Sequence, residues 1–167
     1  MSEARAADQA RVSVSVSVPP AEAFRVFTEE IDLWWRRGPA FRAGGGRGGI
    51  IAVEPGVGGR IVETYEGDDG ERAFVRGVVT AWEPPGRLAF EWRAVNFGPG
   101  DTTWVEVVFA ATARGTMVTV THGGWAGLRP DHPVFHGEAL GRALRRVALW
   151  WGELATSLRE HLGACSA

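Results

Sequence analysis

Cysteine is nearly absent. The only one, Cys165, lies near the C-terminus, so no internal disulfide can staple the fold. A reduced, cytoplasmic setting is the expectation. No run of 18 apolar residues occurs, which excludes a membrane-spanning helix. The opening MSEARAADQARV lacks the apolar stretch of a secretory leader, and residues 1–10 are expected to be disordered. Charge of one sign is lacking too: 18 basic residues face 20 acidic ones, a net of −2. That balance argues against nucleic acid or a membrane surface as partner.

Familiar catalytic signatures are missing. There is no G-x-S-x-G, no H-E-x-x-H, no C-x-x-C and no G-K-[ST], so nucleophilic catalysis and a Walker loop are set aside. GGGRGG (44–49) formally matches G-x-G-x-x-G. The dinucleotide fingerprint needs a strand before it and a helix after it, and here the order is reversed. A glycine-rich rim loop near a cavity mouth is the better reading. His132 and His136 are spaced i, i+4, but zinc needs a third ligand and only His122 is a candidate. Pro133 also stands between the two, so they read as surface or helix-start histidines. His161 suits the negative end of a helix. No metal, cofactor or catalytic residue is assigned.

What is present is a regular alternation. RVSVSVSV (11–18) puts Val12, Val14, Val16 and Val18 on one face and Ser13, Ser15 and Ser17 on the other, a half-buried strand. AEAFRVFTEEIDLWW follows Pro19-Pro20, with Phe24, Phe27, Ile31 and Trp34 or Trp35 at helical spacing; this predicts one or two short helices over about 20–36. Strands are then expected near 49–54, 59–66, 71–82, 87–95, 102–112 and 116–123. Glycine- and proline-rich links separate them, as in an antiparallel meander. Asp131 and Pro133 suit a helix start. Beyond them Leu140, Leu144, Val147, Trp151, Leu154, Leu158 and Leu162 recur at steps of three or four. That is an amphipathic helix of about seven turns, ending at Gly163. The expected architecture is α+β: a curved antiparallel sheet of about six or seven strands wrapped on a long C-terminal helix, one domain over 11–163.

Eight tryptophans are many for such a chain. They are either a rigid aromatic core or the wall of a hollow between sheet and helix, where small ligands bind. Trp34, Trp35, Phe41, Phe90, Trp92, Trp104, Trp125, Val147, Trp151 and Leu154 are the apolar candidates for that wall. Glu63, Tyr65, Arg76 and His122 are the candidate polar groups, placed inward by strand alternation. Glu66, Glu91 and Glu106 also lie in strands, where carboxylates mostly face water. Trp150 stands beside the buried stripe and marks a candidate homodimer contact.

The segments WEPPGRLAFEW (82–92), TTWVEVVFAATARGTMVTVTHGGW (102–125) and WWGELATSLREHL (150–162) resemble the family named for the activator of the heat-shock protein 90 ATPase. EPGVGGRIVE (54–63) and RVSVSVSVPPAEAFRVFTEEIDLWW (11–35) match it as well, so the likeness spans about 11–163. It implies the helix-grip fold of the START-like (SRPBCC) superfamily, with a cavity between sheet and helix. In this light HGGW (122–125) is where the last strand turns toward the helix. The resemblance transfers no catalytic residue. The expected function is binding of a small hydrophobic or aromatic molecule. A cyclase- or aromatase-like enzyme, with Glu63 or His122 as acid or base, is one alternative. A chaperone-contacting module is the other.

Overall fold

A computed structural model describes residues 8–46 and 48–165. Ala10–Val16 forms β1, Pro20–Glu29 α1 and Ile31–Trp34 α2. Six strands follow: β2 Ile50–Val53, β3 Arg60–Gly67, β4 Gly70–Glu83, β5 Arg87–Trp92, β6 Thr103–Thr112 and β7 Gly115–Gly123. Two 3₁₀ turns, Trp125–Gly127 and Pro133–Phe135, lead into α3, Leu140–Cys165. Of the expected disordered residues 1–10, residues 1–7 lie outside the described residues, while Ala10 already opens β1.

All seven strands pair antiparallel in one sheet, in the order β1-β7-β6-β5-β4-β3-β2. The chain's first strand therefore closes against its last, and Val12 sits opposite Val120. The sheet bends around α3 in the helix-grip arrangement. Two register shifts lie at Ile61/Val62 and Val79/Ala81, and such bulges bend a strand and increase its twist. Gly77 marks the sharpest approach. A Cβ there would lie 1.6 Å from the Glu91 carbonyl oxygen, so only glycine lets β4 cross that close to the end of β5.

Alternation decides what faces α3. On β6, Thr103, Val105, Val107 and Phe109 are buried; on β7, Thr116, Val118, Val120 and His122 are. From α3, Trp151, Leu154, Leu158 and Leu162 meet them, and α1 adds Phe24, Val26 and Phe27. Burying each large apolar side chain contributes about 1.5–3 kcal/mol. Trp34, Trp35 and Trp151 are almost wholly buried. The ring of Trp35 lies 5.7–5.8 Å from those of Trp92, Trp150 and Trp151. These rings plug the middle of the space between sheet and helix.

Both ends of α3 differ from expectation. α3 begins at Leu140 and not near Asp131, because His136 and Gly137 take left-handed conformations that break the helical path. The 3₁₀ turn at Pro133 is capped by the His132 ring, which accepts from the Val134 N–H. At the other end the helix runs through Gly163 to Cys165.

Candidate ligand-binding cavity

The tryptophan plug does not reach the end of the grip where β5 and β7 finish. There a cavity of about 220 Å³ remains, lined by Trp92, Ala94, Val95, His122, Trp125, Arg146, Val147 and Trp150. Pro39, Ala40, Arg42 and Arg76 complete its wall. Each part has a local cause. Gly124, at φ +88°, lets the chain leave β7, and Trp125 folds back so that its indole N–H donates to the His122 carbonyl at 3.2 Å. The loop after α2 is tied down by Arg42, which donates to Asp32 Oδ1 at 2.7 Å and to the Trp35 carbonyl at 2.8 Å. Trp150 donates to the Ala40 carbonyl at 2.7 Å and stacks on Phe41.

His122 stands at the inner wall with both ring nitrogens engaged. Trp151 Nε1–H donates to Nδ1 at 3.0 Å, and an indole N–H can only donate. The proton of the neutral ring is therefore on Nε2, which donates to Thr103 Oγ1 at 2.8 Å. The Thr103 hydroxyl in turn donates to the Trp92 carbonyl at 3.0 Å. Burial pushes the imidazole pKa down to about 3, so the ring stays neutral. An imidazole held this way orders the wall; it has no free lone pair with which to take a proton.

Arg76 supplies the charge. Its Nε and Nη2 meet the Glu63 carboxylate at 3.2 and 3.3 Å, and Nη2 also donates to the Phe41 carbonyl at 3.0 Å. Glu63 accepts in addition from the Ala43 N–H at 2.8 Å. Both side chains of this ion pair are buried. The guanidinium carbon lies 4.9 Å from the Trp92 ring, a cation–π contact. Burial lowers the Arg76 pKa, and the Glu63 charge opposes that; a guanidinium remains charged regardless.

Of the fourteen side chains proposed from the sequence, Arg76, Trp92, His122, Trp125 and Val147 line the cavity. Trp34, Trp35, Phe41, Phe90, Trp151 and Leu154 are packed solid beside it. Glu63 stands behind Arg76 and makes no hydrogen bond to His122. Tyr65 shares the inward face of β3 but sits beyond the helix, where Gly44 and Gly49 cover its ring. It lines a separate cleft of about 210 Å³ formed with the glycine loop, so the glycines themselves pack on Tyr65, away from the cavity. Trp104 points out of the opposite sheet face, one residue off the inward Thr103, and covers Gly123 and Gly124. Glu106 faces outward as well and pairs with Arg87, while Glu66 and Glu91 are exposed. Trp150, placed beside the buried stripe by the sequence, is half-buried and lines the cavity. His132, expected at a surface or a helix start, caps the 3₁₀ turn at Pro133, is buried and bonds Asp101 at 2.8 Å. His161 bonds Glu30 at 2.8 Å.

Pro39, Ala40, Arg42, Ala94, Val95 and Arg146 are cavity residues that strand and helix periodicity does not point to. Most lie in loops, where no period exists. Arg146 lies on α3 one position before Val147, off the leucine stripe. A larger groove of about 620 Å³ lies on the outer sheet face, lined by Arg11, Arg87, Glu106, Thr119 and Thr121 among others. It is a polar concavity of the outer sheet face, with Trp104 as the one aromatic side chain among its described lining residues.

No helix among the described residues is long and apolar enough to cross a membrane. Comparison with solved structures supports the fold. Protein MLL2253 from Mesorhizobium loti superposes with a TM-score of 0.64 at 21% identity, covering 93% of this chain and 97% of that one. An HSP90 activator from Plasmodium falciparum gives 0.59 at 19% identity, over 86% and 87% of the two chains. DynU16, a putative protein in the dynemicin biosynthetic locus, gives 0.63 at 22%, over 93% of this chain and 47% of that one. A search of curated protein sequences found no significant match. The family described as activator of Hsp90 ATPase homolog 1-like protein matches residues 17–163, and with its seven-stranded sheet gripping a C-terminal helix the chain belongs to that family.

Proposed function

We propose that this protein binds a small apolar or aromatic molecule in the cavity between the end of the sheet and α3. One observation carries the reading: the grip, otherwise filled by tryptophan, keeps a space of about 220 Å³ walled by Trp92, Trp125, Trp150 and Val147. Drug-sized ligands occupy pockets of about 300–1,000 Å³, whereas an apolar cavity of about 150 Å³ holds benzene. The space therefore suits a guest of about one six-membered ring. Acid–base chemistry is not supported, since His122 and Glu63 are each committed to protein partners.

The test is quenching of tryptophan fluorescence and a rise in melting temperature with single-ring probes such as toluene or indole. A guest at 100 times its dissociation constant stabilises by about 2.7 kcal/mol. Absence of both signals at millimolar probe would refute the proposal.

A chaperone-contacting module is the second reading, favoured by family membership and the likeness to the Plasmodium activator. Leu33 and Leu149 are exposed apolar side chains available to such a partner. Micromolar association of the purified protein with a heat-shock protein 90 would support it; no association at that concentration would count against it.

A further inference from the structure

Among the described residues, the cavity wall carries three guanidiniums, from Arg42, Arg76 and Arg146, and no carboxylate. The carboxylates that balance them stand outside the lining: Asp32 beside Arg42, Glu63 beside Arg76 and Glu138 beside Arg146. Each pair thus sets its positive member on the cavity wall. The hydrogen-bonding groups are just as one-sided. Arg76 uses Nε and Nη2, but its Nη1 makes no hydrogen bond among the described residues. The Trp92 indole N–H likewise makes none, whereas those of Trp125, Trp150 and Trp151 are all bonded. No buried side-chain nitrogen or oxygen sealed from solvent lacks a partner among the described residues. Arg76 Nη1 and Trp92 Nε1 therefore keep contact with open space, and the cavity is the space that both residues border. The acceptors of His122 and Thr103 nearby are engaged.

A cavity that offers donors and positive charge asks for an anionic acceptor. Burying a lone carboxylate is costly, and hydrogen bonds to fixed donors offset that cost. Resting on the proposed cavity function, we infer that the guest is a single-ring carboxylate. Its carboxylate is received by Arg76 Nη1 and the Trp92 indole N–H, and its ring sits among Trp125, Val147 and Trp150. The Arg76–Glu63 pair then does two things: it holds the guanidinium rigid, and it leaves Nη1 as the free end.

Calorimetric titration at pH 7 with benzoate, benzamide and toluene tests this. Benzoate should bind at least about tenfold more tightly than the neutral, isosteric benzamide, since hydrogen bonds to charged groups are the stronger ones. Trp92→Phe keeps the ring and removes the N–H; Arg76→Lys keeps the charge and removes Nη1. Each should weaken benzoate about tenfold or more while leaving toluene within about threefold. Should Arg76→Lys fail to fold, Trp92→Phe alone decides. Equal affinity for benzoate and benzamide, or variants with unchanged benzoate affinity, would overturn the carboxylate inference and leave the cavity function standing. Failure of all three probes to bind would overturn both.

Discussion

Trp151, on the helix, donates its indole proton to Nδ1 of His122, on the last strand, at 3.0 Å. This bond joins the two halves of the grip at the cavity's inner wall. Trp151→Phe keeps most of the packing but leaves a buried ring nitrogen without its donor. A loss of about 1–3 kcal/mol is expected, read from urea denaturation.

The same histidine gives the protein a pH dependence of known sign. An unfolded histidine takes up its proton near pH 6.5, whereas folding holds His122 down to about 3. Between those values the unfolded chain binds a proton that the folded one does not. The contribution is full above about pH 6.5 and is lost as pH falls toward 3. At pH 5 the loss from this group is roughly 2 kcal/mol. His122→Gln should lose correspondingly less between pH 7 and pH 5. Equal losses in both proteins would remove His122 as the cause.

Glu63 and Arg76 are predicted to be strongly coupled. Glu63→Gln or Arg76→Met alone leaves one buried charge without its partner and should cost about 3–5 kcal/mol. The double variant should cost clearly less than the two single losses combined. A double-mutant cycle with no interaction energy would show the pair to be energetically idle.

Cavity and core can be separated by filling the space. Val147→Trp should occupy the room beside Trp150 and abolish the toluene-induced rise in melting temperature. Because Val147 is only partly buried, the loss of stability should stay below about 2 kcal/mol. Trp104→Ala, on the outer face, should leave probe binding unchanged.

Gly77→Ala tests the bend of the sheet. Its new methyl would meet the Glu91 carbonyl, a backbone atom that cannot swing aside. Destabilisation of at least about 2 kcal/mol is expected in thermal or urea melts. A neutral substitution would mean that the bend is relaxed by other means.

The fold was legible because its periods are clean. All seven strands stand within a few residues of their expected places, and Trp151, Leu154, Leu158 and Leu162 form the inward stripe the spacing predicts. The site was legible in part. Alternation correctly set Glu63, Arg76, Trp92 and His122 facing inward, yet an inward residue is not the same as a cavity residue. Whether Trp35 fills space and Trp125 borders it depends on where the rings jam, and this is a property of three dimensions. Trp104 shows the other limit, since one step along a strand reverses its face. Ala40 and Arg42 could not be found at all by period, because the loop that carries them has none. Their placement follows from the bonds to Trp150, Asp32 and Trp35.

The tryptophan plug and the cavity have a consequence for how such a domain can change. Trp34, Trp35 and Trp151 hold the protein together in one place, while Pro39, Ala40, Ala94 and Val95 contour the chamber in another. Under the proposed function, substitutions among the loop positions would reshape the chamber while leaving the tryptophan packing in place. On the proposed function, selection could therefore retune guest preference one loop residue at a time.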